Sequence, residues 1–560
     1  LLKRIGAGLG LVGSSVLLSK ITPPIYAQTT PIEIEPGSFV ETADYIVFEK
    51  DGEYYAKNGR TGEIDFGPSD DAATVIQNAL SALPADRTRK AVVVLIGEFE
   101  IGYVSGNGCI NVPSLCVLDL RQAKLRLKDG VDKNLITNSD WDGGNEGIEI
   151  VGGIIDANKA GQTDTSAGNN CGIHFRNTTK WRIIGVHVKD AKVDGISLWD
   201  SPDGEISGCI VEGCERYGFQ LQGAKGYSAG STRKCRLVNC HAEGNGWDGV
   251  TFGHSHSNVL VNIVSVNNEQ HGIGGDMAHD IVIANAHLEG NSNCGVMISS
   301  YTNPDIPMYN WLLMNVKAVN NNGHGIAIVN GAYNIVIVGC HVENNANRGI
   351  YGAGGNKNIV VAECIVKRNQ LHGIEFYEAV PAEDIIITAN VIEENGQAGS
   401  YNGINLWGKD DANPLDRPVI AYNVIKNNTN YGINLTGVTR YPHVFANTFV
   451  ANSSGAINIG PAVVSPKIKH NVGYVTENCG TTSITGDGTT TTFTVDVAHG
   501  LVSDKLSAKV ACKKPASYRW WLVDTDGDGF FETLRIEITF DTAPAADETV
   551  EIYWMAEMVD

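Results

Sequence analysis

Three titratable residues each stand directly before a Gly-apolar pair: Asp194 in DGISL, Asp248 in DGVTF and His271 in HGIGG, with Asp276 a few residues further on. Two carboxyls beside a histidine suit cleavage of a glycosidic bond. One carboxyl protonates the leaving oxygen while the other activates water, and His271 tunes one of them or holds the neighbouring sugar. A second grouping, Arg348, Tyr351, His372, Glu375 and Tyr377, suits β-elimination from a uronate, and His324 is a further alternative catalytic residue. There Arg348 would neutralise the sugar carboxylate while Tyr351 or His372 removes the C5 proton. Around both groups, Trp199, Tyr217, Gln222, Tyr377, Trp407 and Lys409 offer aromatic faces for sugar rings and polar groups for hydroxyls. Near the C-terminus the loop DTDGDGFFE sets Asp524, Asp526 and Asp528 at alternate positions, with Glu532 close by. That spacing wraps oxygens around Ca²⁺, although Arg535 stands where a bidentate Glu would close the site, and a plain acidic hairpin turn fits equally. No other cofactor is required by these readings. His254 and His256, in HSHS, form a weaker candidate metal pair.

These side chains need a scaffold, and the glycines that follow them reveal it. Glycines 172, 195, 218, 249, 272, 295, 325, 349, 373, 403, 432 and 455 lie 23 or 24 residues apart except for four steps of 29 to 31. Such a period marks a solenoid. Each repeat holds further apolar alternation, as in NIVIVGCHVENN from Asn334 and NIVVAECIVKRN from Asn358, which predicts three strands per coil. The expected fold is all-β: a right-handed parallel β-helix over residues 91–476. Equivalent positions then stack at the strand spacing of about 4.8 Å, which puts Asp194 and Asp248, two coils apart, at on the order of 9.6 Å, near the separation of an inverting hydrolase. The residue before each glycine and the one after each Gly-apolar pair are expected to face solvent along one side. An inward ladder is expected to run Val186, Cys209, Cys240, Val264, Ala286, Val316, Cys340, Cys364, Asn390, Asn423 and Asn447, with its cysteines as core packing and its asparagines as an amide ladder. Longer coils insert loops, including 222–234 with Lys225 and Tyr227, and 299–311 with Tyr301, which would wall a groove.

The flanks complete the organisation. Lys3 and Arg4, an apolar run from Ile5 to Leu18 and Ala27 follow the grammar of a signal peptide over residues 1–27, so a secreted protein that does not span a membrane is expected. In an exported chain, Cys109 with Cys116 and Cys479 with Cys512 are plausible local disulfides. Residues 28–90 read as a leading strand pair and an amphipathic helix, capped by Asp70 or Asp71, that covers the open end of the solenoid. Thr-rich alternating strands over 477–560 read as a small β-sandwich-like domain. A formal charge of −21 argues against nucleic acid as a partner and weighs against polyanionic sugars. Oligomeric state is left open.

The coil starts, the segment Ala43 to Leu83 and GGIIDANKA at Gly152 together resemble the pectin-lyase-like β-helix superfamily over roughly residues 40 to 475. The resemblance implies the fold and points to extracellular polysaccharide as partner, but the superfamily hosts hydrolases, lyases, epimerases and non-catalytic proteins. His324 sits in a G-H-G-I motif similar to that of polygalacturonase-like hydrolases. The chain departs from that family in lacking the D-D pair and R-I-K, with Cys294 in the preceding coil. The expectation is therefore a polysaccharide-cleaving enzyme, hydrolase ahead of uronate lyase, with a glycan-binding surface or tail-fibre-like protein and a polymer-level epimerase as alternatives.

Overall fold

The computed structural model describes residues 43–223, 231–299, 308–474, 477–501, 506–525 and 531–558. The expected signal segment, Lys225, Tyr227, Tyr301, Asp526 and Asp528 lie outside them. Coil after coil, a first strand that starts just past the glycine stacks in parallel on its neighbours. Together these make a fourteen-stranded parallel sheet from Gly108–Val112 to Gly455–Ile459. Twelve of its positions are the predicted coil starts. The two earliest strands, Gly108–Val112 and Asn134–Asn138, lack the Gly-apolar signature and were not foreseen. Second strands (Arg182–Ile184, Glu205–Ser207 and onward) and third strands (His187–Lys189, Ile210–Glu212 and onward) make two further parallel stacks. The long strand Cys116–Leu127 pairs with members of both and joins them.

Strand alternation places Ile173, Phe175, Ile196, Leu198, Phe252 and Ile273 in one continuous core, where each fully buried side chain contributes about 1.5–3 kcal/mol. Between second and third strands the chain turns on a single left-handed residue, at Gly185, Gly208, Asn239, Asn262 and Asn285 among others. Glycine, and asparagine with its short polar side chain, tolerate that conformation best. Inside the next turn, Asn245, Asn268, Asn291, Asn321, Asn345, Asn369, Asn395 and Asn428 form a buried ladder. Each donates Nδ2–H to the Oδ1 of the next and gives its backbone N–H to the same oxygen, as Asn345 does to Asn369 at 3.0 and 3.1 Å.

The cysteine ladder is present with one correction. Ile263, not Val264, occupies the inward position: Val264–Val266 turns Ser265 inward, and Ile263 is fully buried. Asn390, Asn423 and Asn447 continue it as an amide ladder that reaches Asn471. All twelve cysteines are free thiols, so neither expected disulfide forms. At the N-terminal end, the helix Ala72–Ser81 buries Val75, Ile76, Ala79 and Leu80, and Asp71 rather than Asp70 caps it by accepting from the Ala73 amide at 3.2 Å. The C-terminal domain is two three-stranded antiparallel sheets whose inner faces carry Leu534, Ile536, Ile538 and Ile552. No helix among the described residues is long and apolar enough to cross a membrane.

Candidate active site

The outer face of the fourteen-stranded sheet carries three parallel rows. The row after each Gly-apolar pair does not face open solvent as expected. His174, Ser197, Gln220, Thr251, Ala327, Glu375 and Asn405 are all buried. The row before the glycines is also largely buried rather than solvent-facing, at Cys171, Asp194, Asp248, His271, Cys294 and Asn402. Side chains of Asp194, Asp248, His271, His372 and Asn402 each accept the backbone N–H of the same position one coil on: Tyr217 at 3.4 Å, His271 at 3.0 Å, Cys294 at 3.2 Å, Asn402 at 2.9 Å and Tyr431 at 3.1 Å. Asp, His and Asn recur there because each presents an acceptor at that reach. Part of the titratable density is therefore backbone satisfaction.

One stretch of this face opens into a cavity of about 440 Å³, lined by Tyr217, Asp248, Thr251, Gln270, His271, Gly274, Gly275, Asp276, Asn293 and Met297. Its origin is local. Gly274 lies in the buried outer row in register between Thr251 and Met297, and its missing side chain leaves a depression. The Asp248 carboxyl fills part of that space, since a Cβ on Gly274 would collide with Asp248 Oδ2.

Burial pushes the Asp248 carboxyl up to about 7, against the opposing pull of the His271 amide and the Thr251 side chain. Asp248 thus holds its proton near neutrality. His271 spends Nδ1 on the Cys294 amide, so the neutral ring carries its proton on Nε2. Burial lowers its pKa to about 4, which keeps the ring neutral. Asp276, at the end of its strand, is only partly covered.

Asp194 does not join the cavity. It is fully buried, with Arg216 Nε at 3.6 Å and Cys171 Sγ at 4.0 Å. Burial raises its pKa to about 6 despite the arginine. The separation expected between Asp194 and Asp248 therefore does not define a catalytic pair, because Tyr217 rather than Asp194 supplies the wall on that side. Arg216 in turn packs against the rings of Tyr217 and Trp247 at 5.0 and 4.8 Å.

The second grouping is brought together but satisfies itself. Arg348 Nε lies 2.5 Å from Glu375 Oε2. The other Glu375 oxygen accepts from Asn405 at 2.7 Å, with His372 Nε2 at 3.5 Å. The charge expected to receive a uronate already holds a buried carboxylate. His324 stacks flat on Tyr351 at 4.5 Å, and burial followed by the Arg348 charge lowers its pKa to about 3.

Substrate-binding candidates fall where the register puts them. Trp199 and Gln222 continue the strand-end row that holds Asp276, with Trp199 Nε1 donating to Gln220 at 2.9 Å. Further along, Tyr377 and Trp407 stack at 4.0 Å and 7°, and Lys409 is exposed beyond them. The histidine pair is rearranged: His254 is buried, and His256 sits with His279 and Asp280, their ligand atoms all within 4.8 Å. His256, His279, Tyr309 and Tyr333 form a stack of near-parallel rings. Parallel imidazoles aim their lone pairs side by side, so this column reads as an aromatic ladder. Of the calcium-like loop, Glu532 accepts from Thr525 N and Oγ1 at 2.8 and 2.7 Å.

A family model described as "Right handed beta helix region" matches residues 122–235, 171–332 and 308–417. The chain belongs to the right-handed β-helix family. No curated protein matches it. Among solved structures, the β-helix is similar to the A-module of Azotobacter vinelandii mannuronan C-5 epimerase AlgE6, at 18% identity over 72% of this chain and 95% of that one, TM-score 0.44. It is also similar to the tailspike protein of E. coli bacteriophage HK620, at 13% identity over 89% and 92%, TM-score 0.48.

Within this β-helix, Thr251, Gln270, Gly274, Gly275, Asn293 and Met297 are cavity residues that sequence reasoning did not single out. A signal for them exists: HGIGGD is the one coil start in the series with glycine at both positions after the apolar residue.

Proposed function

We propose that this protein is a secreted enzyme that hydrolyses glycosidic bonds of an extracellular polysaccharide in the Asp248 cavity. Asp248, buried and holding its proton up to about pH 7, is the general acid for the leaving oxygen. Asp276, at the more open edge of the same cavity, is the base that activates water. Neutral His271 presents Nε2–H as a donor to substrate, and Tyr217 offers a ring face. The observation that carries hydrolysis over elimination or epimerisation is the composition of the wall. Two carboxyls line it, and none of the described lining residues is Lys or Arg. Removing a C5 proton from a uronate is favoured by a cation that neutralises its carboxylate, and the described residues of this wall supply no Lys or Arg for that. The same fact, with a formal charge of −21, favours an uncharged glycan.

A polymer lying along the coils from Asp276 would meet Tyr377 four strand steps away and Trp407 five steps away, about 19 and 24 Å at one strand spacing per step. Those distances suit a long chain rather than a short oligosaccharide.

The test is a polysaccharide panel followed for new reducing ends and for absorbance at about 235 nm, where the unsaturated product of elimination absorbs. Reducing ends without absorbance support the proposal. Both rising together replace it with elimination, and binding without either product replaces it with a glycan-binding role.

A further inference from the structure

The turn that leads into the fourteen-stranded sheet carries a row of its own, which backbone hydrogen bonds order from coil to coil. Trp247 N–H donates to Arg216 O at 3.0 Å, Gln270 N–H to Trp247 O at 3.2 Å and Asn293 N–H to Gln270 O at 2.8 Å. Gln270 and Asn293 line the Asp248 cavity. Trp247, next to Asp248 in sequence and one strand spacing of about 4.8 Å from Gln270, therefore stands at the rim of that cavity on the turn side. It is 39% exposed, and Gln270 and Asn293 are exposed as well.

One tryptophan in water signifies little by itself, but this one is held in place. The Arg216 guanidinium lies 4.8 Å from the Trp247 ring and 5.0 Å from the Tyr217 ring, and the two rings meet edge to face at 5.1 Å and 82°. Arg216 Nε is buried and makes no hydrogen bond, with the carboxyl of the fully buried Asp194 3.6 Å away. A cation packed against two rings and drawn down by a carboxylate fixes the indole before any ligand arrives, so little ordering cost is left for binding. Arg216 belongs to the coil before Trp247, and Gln270 to the coil after. The cation thus covers the indole from the far side, and the exposed part is left towards the cavity.

A pyranose ring offers a face of C–H bonds that packs on an indole and hydroxyls that side-chain amides bond. Trp247 supplies the first partner, and Gln270 and Asn293 supply the second. We propose that Trp247 is the stacking platform of a sugar subsite at the rim of the Asp248 cavity, with Arg216 and Asp194 as the positioning residues that hold it. This rests on the reading of the cavity as a glycan site and deepens it. The ligand is an uncharged pyranose polymer, since the described lining of the cavity holds two carboxyls and Arg216 beside it is held by Asp194 and the two rings. The Tyr377–Trp407 stack lies at the strand-end edge of the same sheet several coils on, so platform and stack grip a polymer on either side of the cavity. Asp194, expected to act on the bond itself, acts instead through Arg216 and the indole.

The experiment is affinity electrophoresis of the full chain through gels that each hold one polymer: xylan, galactomannan, hydroxyethyl cellulose, dextran, or alginate as the polyanion. It is run at about pH 8, where Asp194 is ionised, on a parent carrying Asp248→Asn so that nothing is cleaved. At least one neutral polymer should retard the parent. Trp247→Phe keeps a ring and should bind within roughly threefold of the parent, whereas Trp247→Leu keeps bulk without a ring and should bind on the order of tenfold more weakly, with unchanged far-ultraviolet circular dichroism. Asp194→Asn keeps an acceptor for the Tyr217 amide and removes the charge facing Arg216. It should weaken binding severalfold in the parent and add nothing to Trp247→Leu, because its effect passes through the indole. Parental affinity in Trp247→Leu overturns the platform, as does a parent that no polymer retards, and retardation by alginate alone overturns the uncharged ligand. An Asp194→Asn effect that persists beside Trp247→Leu overturns the positioning role. Failure of the hydrolase reading looks different: the Trp247 dependence holds, yet the chain with Asp248 intact releases no reducing ends from the retarding polymer.

Discussion

At the scale of single residues, Asp248 has two duties that pull in opposite directions. Its carboxyl accepts the His271 amide, which any oxygen acceptor can do, and it holds a proton to about pH 7 because it is buried. The folded pKa is raised above the ordinary value of 3.8, so the unfolded chain gives up this proton first. Stability is then lost as pH rises from about 4 to about 7 and stays flat above, at about 1.4 kcal/mol per unit between the two values and less with relaxation. Asp248→Asn keeps the acceptor and removes the ionisation. It should melt higher than wild type at pH 8 and lose that advantage by pH 4, checked by calorimetry at the two pH values. Equal melting temperatures at both would show that Asp248 is not held protonated. In the enzyme, kcat/KM should fall as pH rises through about 7, because the acid form of Asp248 is then lost.

Elements decide what these residues can reach, and here the fold was legible while the site was only half so. Gly-apolar starts at 23 or 24 residue spacing revealed twelve strands of the fourteen-stranded sheet, because a glycine and a core residue recur wherever the coil turns inward. The period could not reveal Asp194 beneath Arg216 or Arg348 held by Glu375, because those depend on side-chain reach between coils and on cover from neighbouring rows. The buried ladder from Asn245 to Asn428 was hidden for another reason: asparagine in a turn usually signals a surface. Asn345→Ala should cost about 1–3 kcal/mol in urea unfolding, since the Asn321 amide loses its acceptor inside the core. Cys364→Ala, which removes a buried thiol with only weak bonds to the Ala362 and Ile337 carbonyls, should cost under about 1.5 kcal/mol. If the two cost the same, the ladder contributes packing alone. Gly274→Ala is the matching test of the cavity. Its Cβ would displace the Asp248 carboxyl, so turnover should drop on the order of a hundredfold with the circular dichroism unchanged. Retained activity would show that the depression at Gly274 is not where substrate sits.

For the molecule as a whole, the β-helix lays one chemical face along its axis and leaves the other faces to different tasks. Charge, the described cavity wall and the aromatic stack each support the proposal of a long, uncharged glycan, and the acidic residues that give the chain its −21 stand largely outside the cavity. Domain-scale expectations came through composition: the capping helix and the antiparallel C-terminal domain both follow from local alternation that any single segment displays. The site depends on two adjacent coils whose glycines, carboxyls and imidazole meet only after stacking. The central claim is that Asp248 is the acid of a hydrolytic site, and one comparison tests it most directly. On a polysaccharide cleaved by the wild type, reducing-end release is followed at pH 6 beside Asp248→Asn, with absorbance at about 235 nm recorded throughout. Wild-type release without absorbance, falling by on the order of 100-fold or more in the variant while polymer binding is kept, is the predicted result. Undiminished cleavage by Asp248→Asn, or absorbance rising in step with the reducing ends, would contradict it.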